Sequence, residues 1–292
     1  MTPSLLLELC LVGIASGSIY ALGAMGFALI YKSSNVFNFA LGDQMMMGAF
    51  FVFAFMVQLG LSWYVAIPLA MLCSSILAAG IERVLLRPLL GQSHDVLIMV
   101  TFGTGLMLRG IAGLIWSHDI QRLPEILPRK PIFIGDILIP GTQAWGMLVM
   151  ILFCGAFMLY YRLSRTGIAI RATADDQSTA EALGIDIRRI FSLSWVAAAI
   201  LATAAGIVLA SINGLSPRLG DVALEVLAVV LLAGMTSIGG VLVCGVIVGV
   251  ILTLTGYFLG GAWQQFLPYL LVLLVMVARP RGLFGVKLVE RI

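Results

Sequence analysis

Apolar residues run in stretches as long as a membrane's hydrocarbon core is thick, and they do so nine times along the chain. The stretches cover 8–31, 39–59, 63–82, 96–116, 144–161, 191–212, 222–238, 240–258 and 263–279. A helix needs about 20 apolar residues to cross about 30 Å of hydrocarbon. Hydrophobicity in these runs is continuous and does not alternate, which excludes the strands of a membrane barrel. Backbone groups in hydrocarbon must pair internally, so helices remain as the way to span. Composition agrees: 61% of the 292 residues are hydrophobic, 11% are charged and the mean hydropathy is +1.09. A soluble domain carries about 25% charged residues. The sequence predicts an all-α integral membrane protein, with 1–292 forming a single transmembrane domain. The second and seventh stretches have Gly-rich or polar ends and read as broken or re-entrant elements, so the bundle holds about 8–10 helices.

Lys and Arg set the orientation, because cytoplasmic loops collect them. One side gathers twelve: Lys32, Arg83, Arg87, Arg162, Arg165, Arg171, Arg188, Arg189, Arg279, Arg281, Lys287 and Arg291. The other gathers four: Arg122, Arg129, Lys130 and Arg218. The first side is therefore expected in the cytoplasm, with the C-terminus there and the N-terminus outside. The opening MTPSLLLELC has no basic region and reads as the lead into a retained helix. The net charge of +3 says little about nucleic acid. Cys10, Cys73, Cys154 and Cys244 lie far apart in apolar runs without a CxxC pair, and read as small buried hydrophobes.

Two loops are long enough to carry structure. The outer loop, 117–143, holds Pro124, Pro128, Pro131 and Pro140 and reads as an ordered cap. The inner loop, 162–190, reads RLSRTGIAIRATADDQSTAEALGIDIRRI. Thr173 followed by Asp176 fits a capping box, Asp175 and Asp176 suit the positive end of a helix dipole, and Gly184 stands where a left-handed residue closes a helix. A short helix over 174–183 follows, with Ala180, Leu183 and Ile185 as its apolar patch. Two readings stand: a solvated connector anchored by arginines, or a knob that seats on a cytoplasmic partner.

Polar groups inside spans are expensive and face the bundle interior or a wet cavity. Asn35, Asn38, Asp43, Gln44, Arg109 and Glu225 are the candidates. Asn38, Gly42, Asp43 and Gln44 cluster where the second stretch begins, and are the expected substrate pathway. Free N–H groups there could receive an anion; alternatively Asp43 caps that helix, which is the preferred reading. Asp221 reads as the N-cap of the seventh stretch, with Glu225 one turn later. Arg109 needs a partner that the sequence does not name. Gly13–Gly17, Gly245–Gly249 and Gly256–Gly260 are GxxxG pairs suited to close helix packing, and Met45–Met47 are apolar filler. FALGDQMMMGAFFVF and SIGGVLVCGVIVGV occupy corresponding Gly-broken positions in the two halves, a weak sign of an inverted repeat.

No GxxxxGK[ST], HExxH or GxSxG motif occurs, so nothing here cradles nucleotide phosphates or builds a hydrolase. His94 and His118 lie at loops and read as solvated or capping residues.

Five blocks, in order, carry a family resemblance: GSIYALGAMGFALIYKSSNVFNFALGDQMMMGAF, ERVLLRPLLG, ATADDQSTAEALGIDIRR, VVLLAGMTSIGGVLVCGVIVG and ARPRGLFG. Together they resemble the permeases of high-affinity branched-chain amino acid ABC importers, the first of the two permease types. The resemblance covers nearly the whole chain. It implies a bacterial inner-membrane, multi-pass permease working by alternating access, with no catalytic residue and no metal or other cofactor of its own. ATP and Mg would be bound by two cytoplasmic P-loop ATPases. A second, homologous permease and a periplasmic or extracellular substrate-binding protein would complete the importer. Thr173, Ala174, Asp175, Asp176, Ala180, Glu181, Leu183 and Gly184 then become the ATPase-coupling residues. Leu41 stands where the family often has His, Asp43 where Glu is common, and TSIGG where a proline is usual. Such departures, if they line the path, point to amides, urea, aromatic acids or another solute. The rival readings are an ion-driven secondary transporter, with Asp43 or Glu225 as carrier groups, and a membrane enzyme, for which no constellation exists.

Overall fold

A computed structural model describes residues 3–89, 91–134, 137–279 and 282–285. Among them are eight helices long and apolar enough to cross a membrane. In chain order the helices are α1 (Pro3–Ser34), α2 (Leu41–Phe53), α3 (Trp63–Gly80), α4 (His94–Trp116), α5 (Gly141–Leu163), α6 (Arg165–Asp175), α7 (Gln177–Ala182), α8 (Ile187–Asn213), α9 (Ala223–Ala233), α10 (Ile238–Phe258) and α11 (Gly261–Ala278). A wide helical turn, Ala54–Gln58, extends α2, and Ile81–Leu89 extends α3 through a wide and then a tight turn. In the outer loop β1 (Ile132–Ile134) and β2 (Ile137–Ile139) pair antiparallel, which gives the expected cap its order.

The seventh stretch, 222–238, is not one span. A tight helical turn over Pro217–Val222 leads into α9, which has 11 residues and rises only about 16 Å at 1.5 Å per residue. Gly234, at φ 94°, ends it in a conformation that side chains resist. The second stretch is broken in the opposite sense. Irregular residues 35–40 enter the bundle and α2 starts beside the middle of α4, where Thr101 Oγ1 accepts from the Phe39 N–H at 3.3 Å and donates to the Phe37 carbonyl at 2.9 Å.

α1 and α10 lie antiparallel along a seam of small residues. A Cβ on Gly13 would meet Val250, one on Gly17 would meet the Gly245 carbonyl, and one on Gly245 would meet Ala21. Two of the GxxxG pairs thus face each other, as close packing requires. The third does not: Gly256 sits against Gln264 and Gly260 stands open with φ 93° as a turn residue. Gly17→Ile is expected to force α1 and α10 apart and to destabilise the protein by about 1–3 kcal/mol. Thermal unfolding in mild detergent checks this, with Gly103→Ala, whose added Cβ meets nothing, as a control outside the seam.

Helix neighbours repeat across the halves. α1 packs on α10 as α8 packs on α3, and α2 packs on α3 and α4 as α9 packs on α10 and α11. The first half therefore maps as α1 to α8, α2 to α9, α3 to α10 and α4 to α11. Because α10 runs back along α1, the end of α9 lies where α1 ends, whereas α2 runs away from that end. The repeat is inverted. FALGDQMMMG therefore matches α9 and not SIGGVLVCG, which lies in α10 and matches α3.

One end of the bundle is basic. The guanidinium of Arg87, beyond α3, reaches the Arg188 carbonyl at the start of α8, Gln177 donates to the Ser33 carbonyl, and Lys32 lies 5.9 Å from the Tyr161 ring at the end of α5. Residues 283–284 donate to the carbonyls of Leu232 and Ala233 and bring the chain after α11 to the same end. Arg281, Lys287 and Arg291, counted on this side, lie outside the described residues.

Candidate translocation site and coupling surface

The intramembrane polar residues separate into two groups. Asn38 and Gln44 pair locally: Asn38 Oδ1 accepts from the Ala40 N–H at 3.1 Å, and its Nδ2 donates to Gln44 Oε1 at 3.4 Å, while Gln44 Nε2 is buried without a partner among the described residues. Asn38 thus serves the start of α2. Asp43 does not cap it, since no side chain accepts from the first turn of α2 in capping geometry. Gly42 lets α2 meet the second half directly, for a Cβ there would strike the Gly220 carbonyl and Ala223.

Asp43, 5% exposed, points at α4. Its Oδ1 accepts from Arg109 Nε at 3.0 Å, and the missing side chain of Gly105 makes its room. Arg109 Nη1 also donates to Asp221 Oδ1 at 2.6 Å. Asp221 is therefore no N-cap; Val222 holds that position before α9 without a side-chain bond. Exposure differs sharply within the trio, at 8% for the side chain of Asp43, 32% for Arg109 and 61% for Asp221. One turn beyond Asp221, Glu225 has a buried Oε2 with no hydrogen-bond partner among the described residues. Of the expected pathway residues, Gly42 and Asp43 belong to this cluster, while Asn38 and Gln44 close on each other beside it.

The trio carries a signal in the sequence that spacing alone hides. Leu-Gly-Asp occurs at 41–43 and again at 219–221, at the starts of α2 and α9, which the inverted repeat makes equivalent. Both aspartates bind one guanidinium. The other departures lie elsewhere: Leu41 is 2% exposed in the core, and Ser237 of TSIGG caps α10 by accepting from the Gly240 N–H at 3.1 Å.

At the basic end the loop between α5 and α8 forms two helices where the sequence predicts one over 174–183. α6 starts at Arg165, capped by Ser164, and Thr173 lies inside it, 1% exposed, with Ala174 and Asp175 as its last residues. Thr173 is not a cap. The break falls at Asp176, whose extended backbone (φ −159°) restarts the helix as α7 and whose carboxylate accepts from the Thr179 N–H at 3.0 Å and the Ser178 hydroxyl at 2.7 Å. Residue 176 therefore caps, rather than serving as the third residue of a capping box. At the other end Gly184 takes φ 87°, its N–H bonds the Glu181 carbonyl, and the Ile185 N–H bonds the Ala180 carbonyl. That pair of bonds is the left-handed closure expected at Gly184. The apolar patch also divides: Ala180 is turned inward at 2% exposure, and Leu183 is left outward at 77%.

The Asp176 carboxyl is lowered to about 2 by the Ser178 hydroxyl and the Thr179 N–H. A lowered carboxylate contributes stability above its unfolded pKa and loses it only as pH falls through the folded value. The cap of α7 is thus expected to stay intact from pH 8 down to about 4. Asp176→Ala should instead speed amide exchange at Thr179 and Ala180 throughout that range, which hydrogen exchange of the purified protein measures.

α7 is tied to the bundle, not free. Gln177 reaches α1, and a cavity of about 960 Å³ beside α7 is lined by Arg83, Arg87, His94, Glu181 and Arg188, among others. Glu82, 3% exposed, pairs with Arg87 at 3.2 Å and accepts from the Ser192 hydroxyl at 2.6 Å, joining the end of α3 to α8. Arg87, an orientation charge in the sequence, is a structural tie.

Among the described residues no cluster of His, Cys, Asp or Glu could hold a metal ion. A helical bundle with eight candidate spans, an ion cluster between two broken helices and a capped helix at its basic end is a multi-pass membrane protein. The sequence profile of the branched-chain amino acid transport system / permease component family matches residues 9–276, and the chain belongs to that family. It is 28% identical to the high-affinity branched-chain amino acid transport system permease protein BraD of Pseudomonas aeruginosa, over 96% of both chains. It is also 28% identical to the LivH permease protein of Salmonella typhimurium, again over 96% of both. The probable branched-chain amino acid transport permease LivH of Methanocaldococcus jannaschii is 29% identical over 90% of this chain and 87% of its own. Membership makes the chain a pore subunit rather than an enzyme, and removes the support for an ion-driven carrier.

Proposed function

We propose that this chain is the pore-forming permease of an ABC importer that carries branched-chain amino acids or a closely related small carboxylate solute. Its basic end faces the cytoplasm, as Lys and Arg placement favours, and the whole chain acts as one transmembrane unit. Its path follows the edge where Gly42 and Asp43 meet Gly220 and Asp221. A second, homologous permease completes the pore, a binding protein delivers solute from outside, and two P-loop ATPases bind ATP and Mg and drive alternating access. Relatives named for branched-chain amino acid transport along almost their full length support the substrate class. Departures at Leu41 and TSIGG are packing and capping residues in this chain, so they do not argue for a different solute.

The observation that carries the reading is α7. A helix of six residues, capped at both ends, presents Glu181, Leu183 and Gly184 to solvent beside a basic cavity. Asp176 stiffens it and Ala180 seats it. A rigid knob bonded to α1 and adjacent to α8 transmits a push into both repeats. Pull-down of the chain from its membrane in mild detergent tests this, with 177–183 replaced by a Gly/Ser linker in parallel. P-loop ATPases should accompany the native chain and be lost with the linker. Equal recovery in both would overturn the coupling role.

A further inference from the structure

The Arg109 cluster has the composition of a receptor, not of a simple structural ion pair. A buried structural pair is closed and matched; here one guanidinium holds two carboxylates, and Glu225, one turn beyond Asp221 and toward Tyr20 of α1, has a buried oxygen with no partner among the described residues. The two aspartates come from equivalent positions of an inverted repeat but are held differently. Asp43 is sequestered, while Asp221 is the most exposed of the trio. An exposed ion pair contributes little to stability, so the Asp221 arm exchanges readily. Charged groups exposed at this depth face a wet path.

We propose that Arg109 is a transient binding site for the zwitterionic head of an amino acid in transit. The solute's carboxylate displaces Asp221 from Arg109, Asp43 keeps the guanidinium in place, and the ammonium settles between the released Asp221 and Glu225. Pairing of the charged groups selects the zwitterion. A zwitterion leaves the net charge of the cluster unchanged and gives each cation two carboxylate neighbours. A bare carboxylate would add a fourth anion against a single cation, and a bare amine would leave Asp221 on Arg109. The site rests on the reading that the carried solute is an amino acid.

The experiment uses membrane vesicles holding the assembled importer, with Cys10→Ser and Cys73→Ser and a reporter at Leu224→Cys, a half-exposed position of α9 near Asp221. Maleimide labelling is timed with L-leucine, isovalerate or isoamylamine present, and leucine uptake is measured in the same vesicles. Occupancy slows labelling by 1 + [L]/Kd, about tenfold at a ligand concentration about nine times Kd. Leucine should protect the otherwise native site, and isovalerate and isoamylamine should not. In Asp221→Asn isovalerate should protect as well, because its tethered competitor is gone. In Glu225→Gln leucine protection should weaken. Arg109→Gln with Asp43→Asn, which leaves no unpaired buried charge, should abolish protection by every probe. Protection that survives that double substitution, or isovalerate protecting native and Asp221→Asn alike, would overturn the site. Leucine uptake without any protection overturns the site and leaves the branched-chain reading standing. Leucine protection that depends on Arg109, in vesicles that take up no leucine, upholds the zwitterion site and overturns the branched-chain reading.

Discussion

Arg109→Met is expected to destabilise the folded permease by about 3–5 kcal/mol, because it leaves Asp43 charged and buried. Asp43 is 5% exposed and sits in a space that exists because residues 105 and 220 are glycines. Water cannot replace the guanidinium there without parting α2 from α4. Arg109 itself is about one third exposed, so the lower half of that range applies. Asp43→Asn in the Arg109→Met background should recover most of the loss, since it removes the orphaned charge and keeps the side-chain volume. Asp221→Asn alone should change stability by less than about 1 kcal/mol, as for any exposed pair. Thermal unfolding in detergent of the two single variants at 43 and 109 and their double closes a cycle whose coupling term reports the buried pair alone. A cycle with no coupling would show that Asp43 is satisfied by something other than Arg109.

Leu183→Asp is expected to have the second large effect, and on association only. Leu183 is 77% exposed, so the permease gives up no packing when it is replaced. Burying a leucine side chain is worth about 1.5–3 kcal/mol, and an aspartate placed in the same contact must also be desolvated. The permease–ATPase affinity should therefore fall about 10- to 100-fold or more, while its thermal unfolding stays put. Titration of the purified ATPase against the permease in nanodiscs measures the first, and scanning fluorimetry the second. Ala180→Leu gives the opposite signature. That position is 2% exposed, and overpacking it should lower stability by about 1–3 kcal/mol and displace α7. An unchanged ATPase affinity in Leu183→Asp would move the contact to the basic cavity beside α7.

The membrane bundle was legible because spanning is decided locally. A run such as 191–212 is long and apolar enough by itself, and α8 formed over Ile187–Asn213. The breaks were legible in part, because Gly234, at φ 94°, marks where the seventh stretch cannot continue as a helix. The inner loop was legible at its closing end and not at its opening one. Gly184 has one job, a left-handed closure, whereas Thr173 and Asp176 can each cap. Tertiary burial of Thr173 against the bundle decided between them. The ion cluster was half legible: Asp43 stood out as an acid within an apolar run, but a cap and an ion pair look alike until Arg109 is placed.

The sequence alone determined the solvent of this protein, its helical class, its basic end and the approximate place of the structured inner loop. These depend on free energies summed over neighbouring residues, chiefly transfer of side chains and backbone into hydrocarbon. Only the tertiary structure decided that Arg109 joins Asp43 and Asp221, 66 and 112 residues away along the chain. It also decided that Leu41–Asp43 and Leu219–Asp221 are inverted equivalents meeting at the starts of α2 and α9. Nothing local encodes such a meeting. It follows from how α1, α8 and their broken partners pack, and a buried charge takes whichever partner that packing brings within reach.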